Sequence, residues 1–247
     1  ILAIEFANNE IYIGCEGYYS GSITKLFERK TYEKNNDVLS ILNFNNNVYD
    51  SGSYGIIETE SSKIIVNENE IKIKEIHRID TLFEMKYEGE NVLACGVTYK
   101  DHTSGIWIVD VENQRLLNEI KIYEIFPDNW QAFYWNGNIV SCIYGDYLTI
   151  NDEKITATKA ATFLFRKGII RRVIPVIDEN GEEWFYYSGD FFGSIERYNT
   201  KTEKVEEILQ KEVRGNVLAL KPVTKEQWDL IFEKYKKKLG KEPRKVK

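Results

Sequence analysis

The chain has 247 residues, a formal charge of −6 and 43% hydrophobic content, enough for one large all-β domain or two smaller ones. Aromatic residues reach 13%, including 16 Tyr, which favours strands over helices. No apolar run is long enough to cross a membrane as a helix, and no secretory signal is visible.

Chemistry-bearing residues are sparse. Cys15, Cys95 and Cys142 are scattered without a C-x-x-C pair, and His77 and His102 are the two histidines. That usage argues against a disulfide framework or a zinc site and fits a reducing, cytoplasmic (intracellular) setting. No cofactor or metal is expected: G-x-S-x-G, H-E-x-x-H, glycine-rich phosphate loops and the D-x-D-x-D-G calcium spacing are all missing.

Taken in order, the chain repeats one unit: an apolar strand, a tight Asn/Gly turn and a second apolar strand. It reads ILAIEF-AN-NEIYIGC, VLSILNF-NN-NVYDSG, TLFEMKYE-GE-NVLACG, QAFYW-NG-NIVSCIYG and RRVIPVIDE-NG-EEWFYYSG. The turns fall at Asn8, Asn45, Gly89, Asn136 and Asn180, at intervals of 37, 44, 47 and 44 residues. Asn-Gly at 136–137 and 180–181 is the strongest hairpin signal, because a type I′ turn needs positive φ at both central residues. A third strand opens at Gly21, Gly55, Gly105 and Gly193; the fourth repeat reads as degenerate there, with only Tyr147–Ile150. Fourth strands are clearest at Arg115–Tyr123 and Lys204–Leu209.

Four short antiparallel strands at this period predict an all-β β-propeller of four-stranded antiparallel blades, five recognisable and a partial sixth, with a C-terminal α-helix. Pro175 agrees, since proline cannot donate to a ladder and belongs on an edge such as a channel-lining first strand. The cysteines lie in second strands, where a small apolar residue suits close blade packing.

A sixth unit begins at Asn216–Leu220 and is not completed, because Pro222 and a helix signal follow. Thr224-x-x-Gln227 is a capping box; Trp228, Ile231, Phe232, Tyr235 and Leu239 form one apolar stripe; Gly240 and Pro243 end it. The expected division is therefore 1–223 propeller, 224–240 amphipathic helix docked on it, and 241–247 basic tail. Residues 234–247 carry a net +7 and the remainder −13.

The repeats resemble the WD40-like β-propeller superfamily over about residues 1–220. The likeness rests on period, strand pattern and the G-D-x-x-G-x-I core at 189–195. The family's Gly-His dipeptide is absent, and Val109-Asp110 and Tyr198-Asn199 stand where Trp-Asp would. The resemblance concerns the fold and carries over no catalytic residue. It implies a structural Asp in the loop between second and third strands.

Each of those loops holds an acidic residue with an aromatic close by: Glu16 with Tyr18 and Tyr19, Asp50 with Tyr54, Asp101 beside His102, Asp146 with Tyr147, and Asp190 with Phe191. One expected role is turn chemistry, in which Asp accepts backbone N–H bonds. The other is partner binding at an acidic, aromatic rim, which would attract a basic or aromatic-bearing peptide. A non-enzymatic protein-interaction scaffold, working within a complex, is the leading expectation. Alternatives are a hydrolase or lyase at the channel mouth, with Asp101 and His102 the available groups, or an RNP-associated subunit. The last would use Lys236, Lys237, Lys238, Lys241, Arg244 and Lys245 to touch nucleic acid.

Overall fold

The computed structural model describes residues 3–15, 21–34, 37–53, 55–66, 76–122, 131–135, 137–143, 146–151, 154–157, 170–189, 195–199, 201–202, 204–209 and 220–239. They form five four-stranded antiparallel sheets, each a simple meander in chain order. Sheet one is β1 Ala3–Ala7, β2 Glu10–Cys15, β3 Gly21–Lys25 and β4 Lys30–Lys34. Sheet two is β5 Ser40–Phe44, β6 Asn47–Gly52, β7 Gly55–Glu58 and β8 Lys63–Val66. Sheet three is β9 Ile76–Tyr87, β10 Glu90–Tyr99, β11 Ser104–Asp110 and β12 Arg115–Ile122. Sheet four is β13 Gln131–Trp135, β14 Asn138–Ile143, β15 Asp146–Asn151 and β16 Lys154–Ala157. Sheet five is β17 Ile170–Ile177, β18 Glu183–Gly189, β19 Ile195–Asn199 and β20 Val205–Leu209. Consecutive sheets meet through their first strands, β1 on β5, β5 on β9, β9 on β13 and β13 on β17. This is a β-propeller.

The hairpins explain the period. Asn8-Asn9, Asn45-Asn46 and Glu88-Gly89 all have positive φ and connect strands in register across two residues, the type I′ geometry whose twist matches the strands it joins. Gly137, at φ 81°, closes the equivalent loop between Trp135 and Asn138. The fifth hairpin differs from the sequence expectation. Ile177 pairs with Glu183, so its loop has five residues, and Gly181 has positive φ while Asn180 does not. Asp178 organises it, its carboxylate Oδ1 accepting from the N–H groups of Asn180 and Glu182 at 2.9 Å. The fourth repeat also departs from expectation: it is a complete sheet, with β16 paired to β15 from Leu148 to Asn151. Its Lys154-Ile155-Thr156 run holds one large apolar residue and so carried little hydrophobic signal.

Packing between sheets supplies the core. Phe44, Tyr49, Ile56, Leu82, Leu93, Trp107 and Val109 fill the space between sheets two and three. Phe83, Val92, Ile106, Ile108, Ala132 and Ile139 fill that between three and four. At the first junction Gly14 permits a close approach: a Cβ there would lie 2.8 Å from Val38 Cγ1 and 3.2 Å from Ile41 Cδ1. Phe133 and Trp135 meet Phe185 edge-on at 5.6 Å across the fourth junction.

After the sheets comes α1, Lys225–Leu239. Its capping box forms as expected: Thr224 N–H donates to Gln227 Oε1 at 2.9 Å and Gln227 N–H to Thr224 Oγ1 at 3.2 Å. The helix meets the propeller at the turn end of sheet one, where Lys234 donates to the Asn9 carbonyl and lies 5.2 Å from the Phe27 ring centroid. Trp228, the first residue of the apolar stripe, remains 45% exposed, while Ile231, Phe232 and Tyr235 are half-buried.

Candidate functional site

A propeller offers two positions for function, the axial channel and the loop face around its mouth. Here the channel is a cavity of about 300 Å³. It is walled by Ala3–Glu5, Ser40–Leu42, Thr81–Glu84, Ala132–Tyr134 and Val173–Pro175, one segment from each first strand, and by Leu220–Pro222. Pro175 therefore sits on the channel edge of its sheet, where its missing N–H costs no ladder bond.

Edge strands leave backbone groups to satisfy, and polar side chains from neighbouring blades take some of them. Leu82 N–H donates to Ser40 Oγ at 3.0 Å, and Ser51 Oγ donates to the Ile79 carbonyl at 3.3 Å. Glu5 is 3% exposed, and Lys221 reaches its two carboxylate oxygens at 2.6 and 2.8 Å. Burial pushes the Glu5 carboxyl above its ordinary value, against the opposing pull of Lys221. The ion pair joins the segment before α1 to β1. Sequence reading passed over Glu5, Ser40, Thr81 and Lys221. Of these only Glu5 carried a sequence signal, as the lone polar residue of the apolar run ILAIEF.

At the mouth, the loop between β10 and β11 is the described example. Tyr99 N–H donates to the Thr103 carbonyl at 2.9 Å and His102 N–H to the Tyr99 carbonyl at 3.0 Å. Asp101 Oδ1 accepts from Thr103 N–H at 2.9 Å and Thr103 Oγ1 at 2.6 Å. Those two bonds hold the Asp101 carboxyl below its ordinary value. Both Asp101 and His102 are exposed, and His102 takes a positive φ of 68°. Beneath them the loop is anchored. Tyr99 OH donates to the Glu119 carboxylate, Trp107 Nε1 donates to Tyr99 OH at 3.2 Å, and Gly105 leaves room, since a Cβ would lie 2.5 Å from that hydroxyl.

Asp50 is a correction. It lies within β6 at 0% exposure, in an ion pair with Lys34 at 3.0 Å and accepting from Thr59 Oγ1 at 2.7 Å. Buried between sheets one and two, it cannot meet a partner. An analogous pair, Arg78 to Asp80 at 2.7 Å with Thr98 Oγ1 donating at 2.6 Å, lies inside sheet three. Asp146 and Tyr147 open β15, where Asp146 pairs with Ile143 and Tyr147 with Cys142. Glu16, Tyr18, Tyr19, Tyr54, Asp190 and Phe191 lie outside the described residues. Of the basic tail, Lys236 and Lys237 are exposed on α1, which Lys238 continues; Lys241, Arg244 and Lys245 lie outside the described residues.

Asp101 and His102 are not among the channel-lining residues. Among the described residues no group of three or more His, Cys, Asp or Glu could hold a metal ion, and no helix is long and apolar enough to cross a membrane.

No protein-family model and no curated protein sequence matches the chain. Among solved structures it is similar to the dihydro-heme d1 dehydrogenase NirN in complex with DHE, at 12% identity and a TM-score of 0.49. The likeness covers 90% of this chain and 48% of that one, so the chain spans about half the length of this structural neighbour.

Proposed function

We propose that the protein is a non-enzymatic interaction scaffold that captures a basic or aromatic-bearing peptide at the loop face of its propeller. The observation that carries this reading is the loop from Lys100 to Thr103. One oxygen of Asp101 is committed to the turn, while the carboxylate and the neighbouring imidazole stand exposed above the buried Tyr99 and Trp107, which bond the half-buried Glu119. A fixed, projecting anion loses little conformational entropy on binding, and preorganisation of this kind converts modest contact area into affinity. Glu16, Asp146 and Asp190, each with an aromatic close by in sequence, would extend the same chemistry to the corresponding connections of sheets one, four and five. The acidic body, −13 outside the last fourteen residues, steers cationic partners toward it.

The test is a display library of short peptides panned against the full chain at low ionic strength. Selected peptides should be rich in Lys, Arg and aromatics. Their binding should weaken at least about tenfold when Asp101, Asp146 and Asp190 are replaced together by Asn, with the melting temperature nearly unchanged. Selection of acidic peptides, or undiminished binding by the triple variant, overturns the reading.

A further inference from the structure

Helix α1 is amphipathic, but the side it turns to the propeller is not its apolar side. Gln227, Leu230, Ile231 and Lys234 are spaced as one face of a helix, and all four are half-buried. Lys234 makes the described contacts with sheet one, to the Asn9 carbonyl and the Phe27 ring. Trp228, Phe232 and Tyr235 form the next row, displaced by about 100° around the axis. There Trp228 is 45% exposed, although Trp107 and Trp184 are buried in the sheets. A glutamine and a lysine are thus better covered than a tryptophan on the same helix. Exposed Leu26, beside Phe27 after β3, adds apolar surface at the same end of sheet one.

Charge is arranged around that row. Lys225 and Lys236 border it on one side and Lys234 on the other, while Glu226 and Glu233 lie across the helix from it. Asp229 is paired with Lys225 at 2.6 Å. Residues 234–247 carry a net +7 against −13 for the rest of the chain. An apolar row containing Trp and Tyr and edged by lysines suits a membrane interface. Its aromatic rings enter the boundary between headgroups and acyl chains, and the lysine stems reach back to the phosphates.

Two other occupants fit less well. Nucleic acid would meet the lysines but leave Trp228 and Phe232 uncovered. A protein groove that wraps a helix needs the side that Lys234 already holds against sheet one, whereas a flat surface needs a single strip. We infer that α1, with the basic residues after it, is a docking surface for an anionic lipid bilayer. The helix lies along the headgroup layer and does not cross it. Each meander places its first and third turns at one end of the strands and its second connection at the other. Asn9 and Phe27 belong to the first and third turns of sheet one, so lipid docking leaves the loop face of Asp101 turned away from the bilayer. The two surfaces are independent.

The probe is sedimentation of the full chain with vesicles of phosphatidylcholine containing about 30% phosphatidylserine, against phosphatidylcholine alone. Binding should be about tenfold or more tighter to the anionic vesicles and should weaken as salt is raised. Trp228→Ala should weaken it about tenfold or more, and Lys236→Glu about fivefold or more. Asp101→Asn should bind vesicles as wild type does. Trp228 and Lys236 are both exposed, so the melting temperatures of these variants should match wild type. Absence of binding, equal binding to neutral vesicles, or wild-type binding by either α1 variant overturns the inference. Tighter binding to a single-stranded oligonucleotide than to the vesicles also overturns it, assigning the basic residues to nucleic acid. So does a dimer in light scattering that Trp228→Ala dissolves, which makes a second copy the occupant.

Discussion

Asp50 and Asp101 began as members of one acidic set, and their surroundings separate them. Asp50 has no exposed surface and neutralises Lys34, itself 6% exposed in its side chain. Replacing it by Ala strands a buried cation, a change that costs about 3–5 kcal/mol. For a chain of this size the melting temperature should fall by roughly 10 °C or more, read by circular dichroism. Asp101→Asn should leave that temperature nearly unchanged and act on binding instead. The contrast was not visible in sequence, because both residues sit beside a turn-forming Ser/Gly or Thr/Gly stretch. What distinguishes them is register: Asp50 pairs with Ile41 and Ile57 inside the sheet, whereas Asp101 lies beyond the last pair of its hairpin. Gly14 offers a second test at this scale. Gly14→Val would drive its side chain into Val38 and should destabilise by about 1–3 kcal/mol or more, checked by urea unfolding.

Elements were legible in proportion to how local their causes were. Type I′ turns at Asn8, Asn45 and Gly89 and the capping box at Thr224 depend on residues a few positions apart, and they form where the residues predict. The fifth hairpin was misread because Asp178, not Asn180-Gly181, decides its geometry by accepting two backbone bonds and the Trp184 Nε1–H at 3.1 Å. The helix stripe was legible as a stripe, but the exposure of Trp228 and the contact of Lys234 with Asn9 and Phe27 were not, since these depend on tertiary position. Thr224→Ala removes one side of the capping box, worth about 1 kcal/mol. Because the described bond from α1 to the sheets is made by Lys234, nearly three turns after the cap, the loss should be local. Hydrogen exchange should accelerate over 225–231 while the sheets melt at the wild-type temperature. A shift of the whole transition would mean that the helix and sheets unfold as one unit.

For the whole molecule, the notable feature is how five sheets become a ring. The Ser40 and Ser51 hydroxyls join sheets two and three, and the Glu5–Lys221 ion pair ties the segment before α1 to β1. Lys221→Met leaves the Glu5 carboxylate buried without its cation, at a cost of about 2 kcal/mol given the partial exposure of Lys221. The pH dependence has a definite sign. Burial raises the Glu5 value in the fold, so the folded state binds this proton more tightly than the unfolded chain does. The contribution is therefore favourable at low pH and lost as pH rises through the folded value. Removing Lys221 raises that value further. The variant's deficit should be largest at neutral pH and shrink toward the ordinary carboxylate range, measured as the difference in melting temperature from wild type. A deficit that grows on acidification would show that Glu5 is not desolvated. Ring closure was illegible in sequence because Glu5 and Lys221 are 216 positions apart and neither belongs to a motif.

The proposed capture of a partner on the second-to-third-strand loop face has a direct physical readout. The most direct measurement is hydrogen exchange by mass spectrometry of the full chain, with and without a saturating basic peptide selected by display. Exchange should slow at 99–104 and in the corresponding loops of the other sheets, with the turns at 8–9, 45–46 and 88–89 unchanged. Slowed exchange confined to those turns or to α1, with 99–104 unaffected, would contradict it.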